Sequence, residues 1–196
     1  MTQADLFADP LIGGMDYREE FISRHEERTL LAQLEAMDLA PFRFQGWTGN
    51  RKTQSYGWRY DFDDASFQPT EPIPTWLEPL CDKATALAGD DIAHALVARY
   101  DPGAGIGWHK DRSVFDRVVG ISLNTPAVLR FRQRTGMGFR RFSLPVEPRS
   151  AYLLSGEARY EWEHRIVPGD ELRFSITFRT MSDLGRRKAA ELQRSS

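Results

Sequence analysis

From Ala93 to Arg179 the apolar residues recur at every second position, in short runs separated by Gly and Pro, and no helical stretch lies between any two runs. Neighbouring parallel strands need a crossover of a dozen or more residues, usually a helix, so this half of the chain must pair its strands antiparallel. The runs predict strands at Ala93–Tyr100, Arg117–Asn124, Ala127–Arg134, Phe139–Leu144, Ala151–Ser155, Arg159–His164 and Leu172–Arg179. Such a series closes into a sandwich or jelly roll. Upstream the period is helical. Ser23 and Glu26 form a capping-box pattern ahead of Leu30, Leu31, Leu34 and Met37, in a helix that ends before Pro41. Pro72 and Pro74 bracket the start of a second helix, carried by Trp76, Leu77, Leu80, Ala84 and Leu87 and stopped at Gly89. The expected class is α+β, mainly β, with both helices packed on one face.

At 196 residues the chain is expected to be one domain, loosely ordered at about 1–20 and 186–196, and monomeric. It has no run of eighteen apolar residues, and Met1–Phe7 lacks the basic and apolar regions of a signal peptide, so the expected location is the cytoplasm, away from membranes. Cys81 is the single cysteine, which excludes an internal disulfide and a cysteine-based zinc site. It reads as a small core residue, and His25 and His94 carry no assigned role. Any metal must be held by His and carboxylate. Residues 1–98 carry 17 acidic and 8 basic side chains, whereas 99–196 carry 11 and 18, and sixteen of those eighteen are Arg. The second half is therefore the half suited to an anionic partner.

Two groups of residues in that half can carry chemistry. Alternation places His109 and Asp111 on one face, and His164 on a later strand adds a second imidazole. Two imidazoles and a carboxylate occupy three positions on Fe(II) and leave three open, although zinc hydrolysis uses the same ligands. On the last strand Leu172, Phe174, Ile176 and Phe178 line one face, and Arg173, Ser175, Thr177 and Arg179 the other. The two arginines lie about 20 Å apart along the backbone at strand rise, and their arms can reach inward to grip a short dicarboxylate. The plainer reading of that face is a solvent-exposed polar strand.

The segments "ARYDPGAGIGWHKD", "SGEARYEWEHRIVP" and "RFSITFR" resemble, in order and spacing, the AlkB-like Fe(II)- and 2-oxoglutarate-dependent dioxygenases, over about Arg51 to Met181. The resemblance implies a double-stranded β-helix, Fe(II) bound by His109, Asp111 and His164, and 2-oxoglutarate bound by Tyr100, Arg173, Ser175 and Arg179, the last closing the site beside the metal. It implies an enzyme that couples oxidation of 2-oxoglutarate by O2 to oxidation of a substrate C–H bond. Ala98 and Ser175 stand where the family usually has Asn, and Ser113 stands where its DNA-repair members carry an acidic residue. The stretch "HKDRSVFDRVVGISL" is more similar to the RNA-acting branches, including one that hydroxylates a modified wobble uridine in tRNA. "RKTQSYGWRYDF" is similar to the lid of that branch.

The expected partner is nucleic acid, RNA before DNA. Arg130, Arg132 and Arg134 share a strand face, with Arg140 and Arg141 across the "TGMG" turn, and clustered Arg suits phosphate. Arg51 and the aromatics Tyr56, Trp58, Tyr60 and Trp108 are candidates to hold and stack an unpaired base. Against these stand a solvated strand edge for the arginines and core packing for the aromatics. Demethylation repair of alkylated DNA or RNA, hydroxylation of a protein or small molecule, and a jelly-roll binding module without turnover are the alternative functions.

Overall fold

A computed structural model describes residues 11–44, 47–60 and 66–195. Two antiparallel sheets face one another. The larger has eight strands: β1 (Met15–Arg18), β10 (Ala151–Leu154), β7 (Phe115–Leu123), β12 (Arg173–Met181), β5 (Ile92–Tyr100), β3 (Trp47–Tyr60) and β2 (Ala40–Phe44) in that order, with β4 (Phe67–Pro69) against β3. The smaller has the order β6 (Ile106–His109), β11 (Glu163–Ile166), β8 (Ala127–Thr135) and β9 (Gly138–Val146). This is the expected jelly roll.

Both N-terminal helices form where their signals predict. In α1 (Arg24–Ala36) the Glu26 amide donates to Ser23 Oγ at 3.2 Å and the Ser23 amide donates to the Glu26 carboxylate at 2.8 Å. A 3-10 turn at Thr75–Leu77 leads into α2 (Glu78–Ala88), which ends on Gly89 in the left-handed conformation. Leu30, Leu34, Leu77, Leu80 and Ala84 of these helices cover the outer face of the large sheet, meeting Val97, Ile121, Phe174, Ile176 and Phe178 in one core cluster. Phe174, Ile176 and Phe178 are fully buried, each contributing about 1.5–3 kcal/mol. Because β12 alternates, that packing forces Arg173, Ser175, Thr177 and Arg179 to the opposite face, toward the small sheet. The arginine-bearing face is thus the interior of the sandwich and not a solvated surface.

Three expectations of the sequence are revised. The strand expected at Arg159–His164 is a short helix, α3 (Gly156–Tyr160), followed by β11. Gly156 enters the turn at a φ of 48°, and the buried Arg159 side chain is drawn inward to carbonyls of the segment after Asp111. The chain ends expected to be loose instead carry β1, paired with β10, and α4 (Asp183–Ser195); residues 1–10 lie outside the described residues. A third strand region, β2 and β3, fills a stretch that the period-two reading left unassigned. Among the described residues no helix is long and apolar enough to cross a membrane.

Candidate functional site

The site lies between the sheets, where β6 and β11 of the small sheet face β5, β12 and β7 of the large one. His109 and His164 are direct cross-strand partners, with ring centroids 4.3 Å apart. Asp111 lies just past the end of β6, and one ligand atom from each of the three residues falls within 4.8 Å of the others. Arg159 sets that approach. From α3, which leads to His164, it donates to the carbonyls of Arg112, Phe115 and Asp116 at 2.8, 2.7 and 2.7 Å, in the segment that follows Asp111.

The two oxygens of Asp111 have different environments. Oδ1 accepts from Arg179 Nε at 2.8 Å and from Nη2 at 2.7 Å, a charge-assisted pair. Oδ2 is buried, has no hydrogen-bond partner among the described residues, and lies 3.5 Å from His164 Nε2. Burial opposes ionisation of this carboxyl, but the Arg179 guanidinium outweighs it and holds the group far below the usual carboxylate range. Burial, with His109 as close neighbour, pushes the His164 imidazolium down to about 3, and burial lowers His109 as well. His109 Nδ1 lies 2.9 Å from the Gly107 carbonyl, to which it donates, so Nε2 keeps its lone pair. Two neutral imidazoles and an orphaned carboxylate oxygen are the donor set that a divalent ion of intermediate softness requires, and they fit Fe(II).

Arg173 and Tyr100 form the other end. They pair across β12 and β5, and the guanidinium stacks over the phenol ring at 4.9 Å. Nε and Nη2 of Arg173 donate to Ser122 Oγ at 3.3 and 3.2 Å, while Nη1 is buried without a partner among the described residues. The Tyr100 hydroxyl has Ser175 of β12 and Arg51 of β3 as its polar neighbours. Burial opposes its ionisation, but Arg51 and Arg173 outweigh burial and lower its pKa. A cavity of about 470 Å³ opens against this pair, walled by Val128, Ile166 and Pro168 and reaching Asp170 and Glu171. An unpartnered guanidinium nitrogen at such a wall is suited to a carboxylate.

Not every residue singled out in the sequence reaches this site. Arg51 does, as Tyr100's cross-strand neighbour on β3, which makes it part of the large sheet. Tyr56 does not: it is 8% exposed and turned into the helix-side core, because alternation along β3 puts Arg51, Thr53 and Ser55 on the inner face and Tyr56 on the outer one. Trp58 stacks on Phe67 at 5.0 Å, in a separate cluster with Phe115, and Tyr60 packs against that same cluster. Trp108 points away from His109 to the outer side of the small sheet, beneath Arg132 at 4.5 Å and Arg165 at 5.2 Å. The four aromatics therefore do not form one stacking platform. Arg130, Arg134, Arg140 and Arg141 are exposed on the β8–β9 hairpin, while Arg132 is paired with Glu163 at 2.7 Å.

His94 belongs to the site, although the sequence reading gave it no role. It is buried beside Phe115, with its Nδ1 3.1 Å from Arg179 Nη1, and burial followed by Arg179 keeps it neutral, so it accepts that hydrogen bond. Its position in β5, six residues before Tyr100 on the same face, was the available signal. Cys81 is partly buried and packs against the edge of the helix-side core, not within it.

Comparison with known proteins agrees with this geometry. The sequence pattern of the 2OG-Fe(II) oxygenase superfamily matches residues 15–179. The tRNA (carboxymethyluridine(34)-5-O)-methyltransferase alkbh8 of Xenopus tropicalis is 29% identical over 175 residues, covering 84% of this chain and 27% of that protein. The chain thus spans about a quarter of the length of the first curated relatives it matches. The alpha-ketoglutarate-dependent dioxygenase AlkB of Escherichia coli is 29% identical over 152 residues, 68% of this chain and 66% of that one. In fold, a Pseudomonas putida prolyl-4-hydroxylase superposes with a TM-score of 0.62 at 16% identity, over 86% of this chain and 93% of its own. With the matched pattern running from β1 to the arginine at the end of the site, the chain belongs to the 2OG-Fe(II) oxygenase superfamily, an oxidoreductase dependent on Fe(II), 2-oxoglutarate and O2.

Proposed function

We propose that this chain is a single cytoplasmic, monomeric dioxygenase domain that oxidises a base in nucleic acid, RNA in preference to DNA. The observation that carries the chemistry is Asp111 Oδ2, buried and unpartnered between two neutral imidazoles. On this reading His109, Asp111 and His164 hold Fe(II), and Arg173, Tyr100 and Ser175 hold 2-oxoglutarate. Together with O2 these groups supply, when bound, the oxidising power that breaks a substrate C–H bond. The protein's own part is positioning. Arg179 fixes Asp111 so that only one oxygen faces inward, Gly107 fixes the His109 tautomer, and Arg173 offers its free Nη1 to the remote carboxylate.

Support for RNA comes from the relatives whose names assign them to tRNA, from Ser113 in place of an acidic residue, and from the outer face of the small sheet. Arg130, Arg132, Arg134, Arg141 and Arg165 share that face with Glu163 as the one acidic side chain of its paired strands. Arg132 is committed to Glu163, Trp108 and Phe139, so phosphate contact falls to the exposed Arg130, Arg134 and Arg141. The similarity to AlkB favours a second reading, oxidative demethylation of alkylated nucleic acid.

Nucleoside mass spectrometry separates the two. tRNA and N-methylated oligonucleotides are incubated with the protein, Fe(II), 2-oxoglutarate and O2, alongside His109→Ala. The expected product is a nucleoside gaining one oxygen, absent with the variant; loss of a methyl group with formaldehyde release selects demethylation. Succinate formed with every nucleoside unchanged would overturn the nucleic-acid reading and leave a protein or small molecule as substrate. Succinate formation retained by His109→Ala would overturn the iron site.

A further inference from the structure

Tyr152 is a buried phenol for which the known chemistry gives no task. It lies on β10 directly opposite Gly120 of β7, and Gly120 lies directly opposite Thr177 of β12. Gly120 has no side chain to stand between them, and a Cβ placed there would collide with Cζ and Oη of Tyr152. The end of the ring therefore occupies the space of the missing side chain and extends toward Thr177, on the inner face between Arg173 and Arg179. Its electrostatic neighbours name the same place: Tyr100 and Arg173 first, then Asp111 and Arg179. The residue is 8% exposed, and its hydroxyl end lies over Gly120 on the inner face of the sheet. Buried tyrosine hydroxyls ordinarily find a partner, and leaving one without is costly. A second donor, Arg173 Nη1, is buried at this end of the site without a partner among the described residues.

Taking the co-substrate assignment above as its starting point, we propose that the Tyr152 hydroxyl is a positioning donor for the remote carboxylate of 2-oxoglutarate, shared with Arg173 Nη1. Burial pushes the phenol's pKa up, so Tyr152 keeps its proton at any physiological pH and serves as a donor throughout. One oxygen of the carboxylate then meets a charged donor and the other a neutral one. That division specifies a dicarboxylate of one length, because the phenol sets how far from the triad the second carboxylate can rest. Gly120 is the enabling residue, since any side chain there would turn the ring out of the site.

The test reads binding rather than turnover, so it does not depend on which substrate is oxidised. Protein loaded with Mn(II) in place of Fe(II) is titrated calorimetrically with 2-oxoglutarate, for wild type and Tyr152→Phe. The expected result is a loss of about tenfold in 2-oxoglutarate affinity in the variant, the value of one hydrogen bond to a charged group. Mn(II) affinity is expected to stay unchanged, and the metal-free protein to unfold at nearly the same temperature, because the ring and its packing over Gly120 are kept. Gly120→Ala, which displaces the ring and leaves the hydroxyl in the sequence, is expected to weaken 2-oxoglutarate in the same direction. Unchanged affinity in Tyr152→Phe would overturn the proposal, and so would an affinity loss matched by an equal loss for Mn(II), which would make Tyr152 a packing residue. If even the wild type fails to bind 2-oxoglutarate, the co-substrate assignment falls before the role of Tyr152 is reached.

Discussion

The two ends of the site are built on opposite plans. At the triad, almost every polar atom is braced by the protein itself: Arg179 grips Asp111, His94 grips Arg179, and Gly107 grips His109, leaving one carboxylate oxygen open. At the Tyr100–Arg173 end a donor is buried but spare: Arg173 Nη1 lacks a partner among the described residues. Among the described residues the first end leaves a bare acceptor, Asp111 Oδ2, and the second a bare donor, Arg173 Nη1, so the first is suited to a cation and the second to an anion that satisfies an already desolvated charge.

Substitutions can break this contrast or sharpen it. The largest effect is expected from His164→Ala, which removes a ligand outright. Calorimetry should show divalent-metal affinity falling by more than about a hundredfold, the upper limit for loss of a ligand's supporting partner, and affinity kept within tenfold would put the metal elsewhere. Arg173→Ala is expected to weaken 2-oxoglutarate by roughly thirtyfold or more, the value of a buried charged donor, with metal affinity intact. If both affinities fell together, the ends would not be independent. His94→Leu, which frees Arg179 Nη1, should cost metal affinity about tenfold and leave 2-oxoglutarate binding to preloaded protein nearly unchanged.

A pH experiment tests the same end without a ligand. His164 has a folded pKa of about 3 against 6.5 in the unfolded chain, so between those values the unfolded chain binds more protons. Stability is then at its full value above 6.5 and falls as the pH drops below it, by up to about 1.4 kcal/mol per pH unit for this one group. Denaturant unfolding of chelator-treated protein between 6.5 and about 4 should show this slope flattened in His164→Gln. The smallest effect belongs to the outer surface. Arg134→Ala should weaken tRNA binding only a few-fold and reduce the salt dependence by about one charge, and an unchanged salt slope would remove this hairpin from the interface.

Much of this arrangement was legible in the sequence, and the parts that were not share a cause. β12 was readable because Phe174, Ile176 and Phe178 pack under helices while Arg173 and Arg179 face inward, giving a clean period of two. β3 was not, because its inner face is polar where it lines the site and its outer face carries Lys52 and Gln54 beside Tyr56. A strand whose buried face is functional loses the hydrophobic alternation by which strands are recognised. His109, Asp111 and His164 stood out by residue type and spacing. His94 and Tyr152 did not, since their importance lies in partners on other strands: Arg179 85 residues away for the first, Gly120 across the sheet for the second. The exposed aromatic platform failed for a related reason, as Tyr56 and Trp108 lie on faces that only strand register decides.

Arg159 bears on the order in which the molecule is made. By tying the turn before His164 to the carbonyls after Asp111, it sets the gap between two of the three ligands with protein atoms alone. On the proposed metal assignment the expected order is folding first and metal second, because the spacing of the ligands is braced by the chain itself, in contrast to small domains that collapse only around their metal. A site of that kind can be emptied and refilled without unfolding. On that assignment an iron lost to oxidation would be a replaceable part of a chain that stays folded.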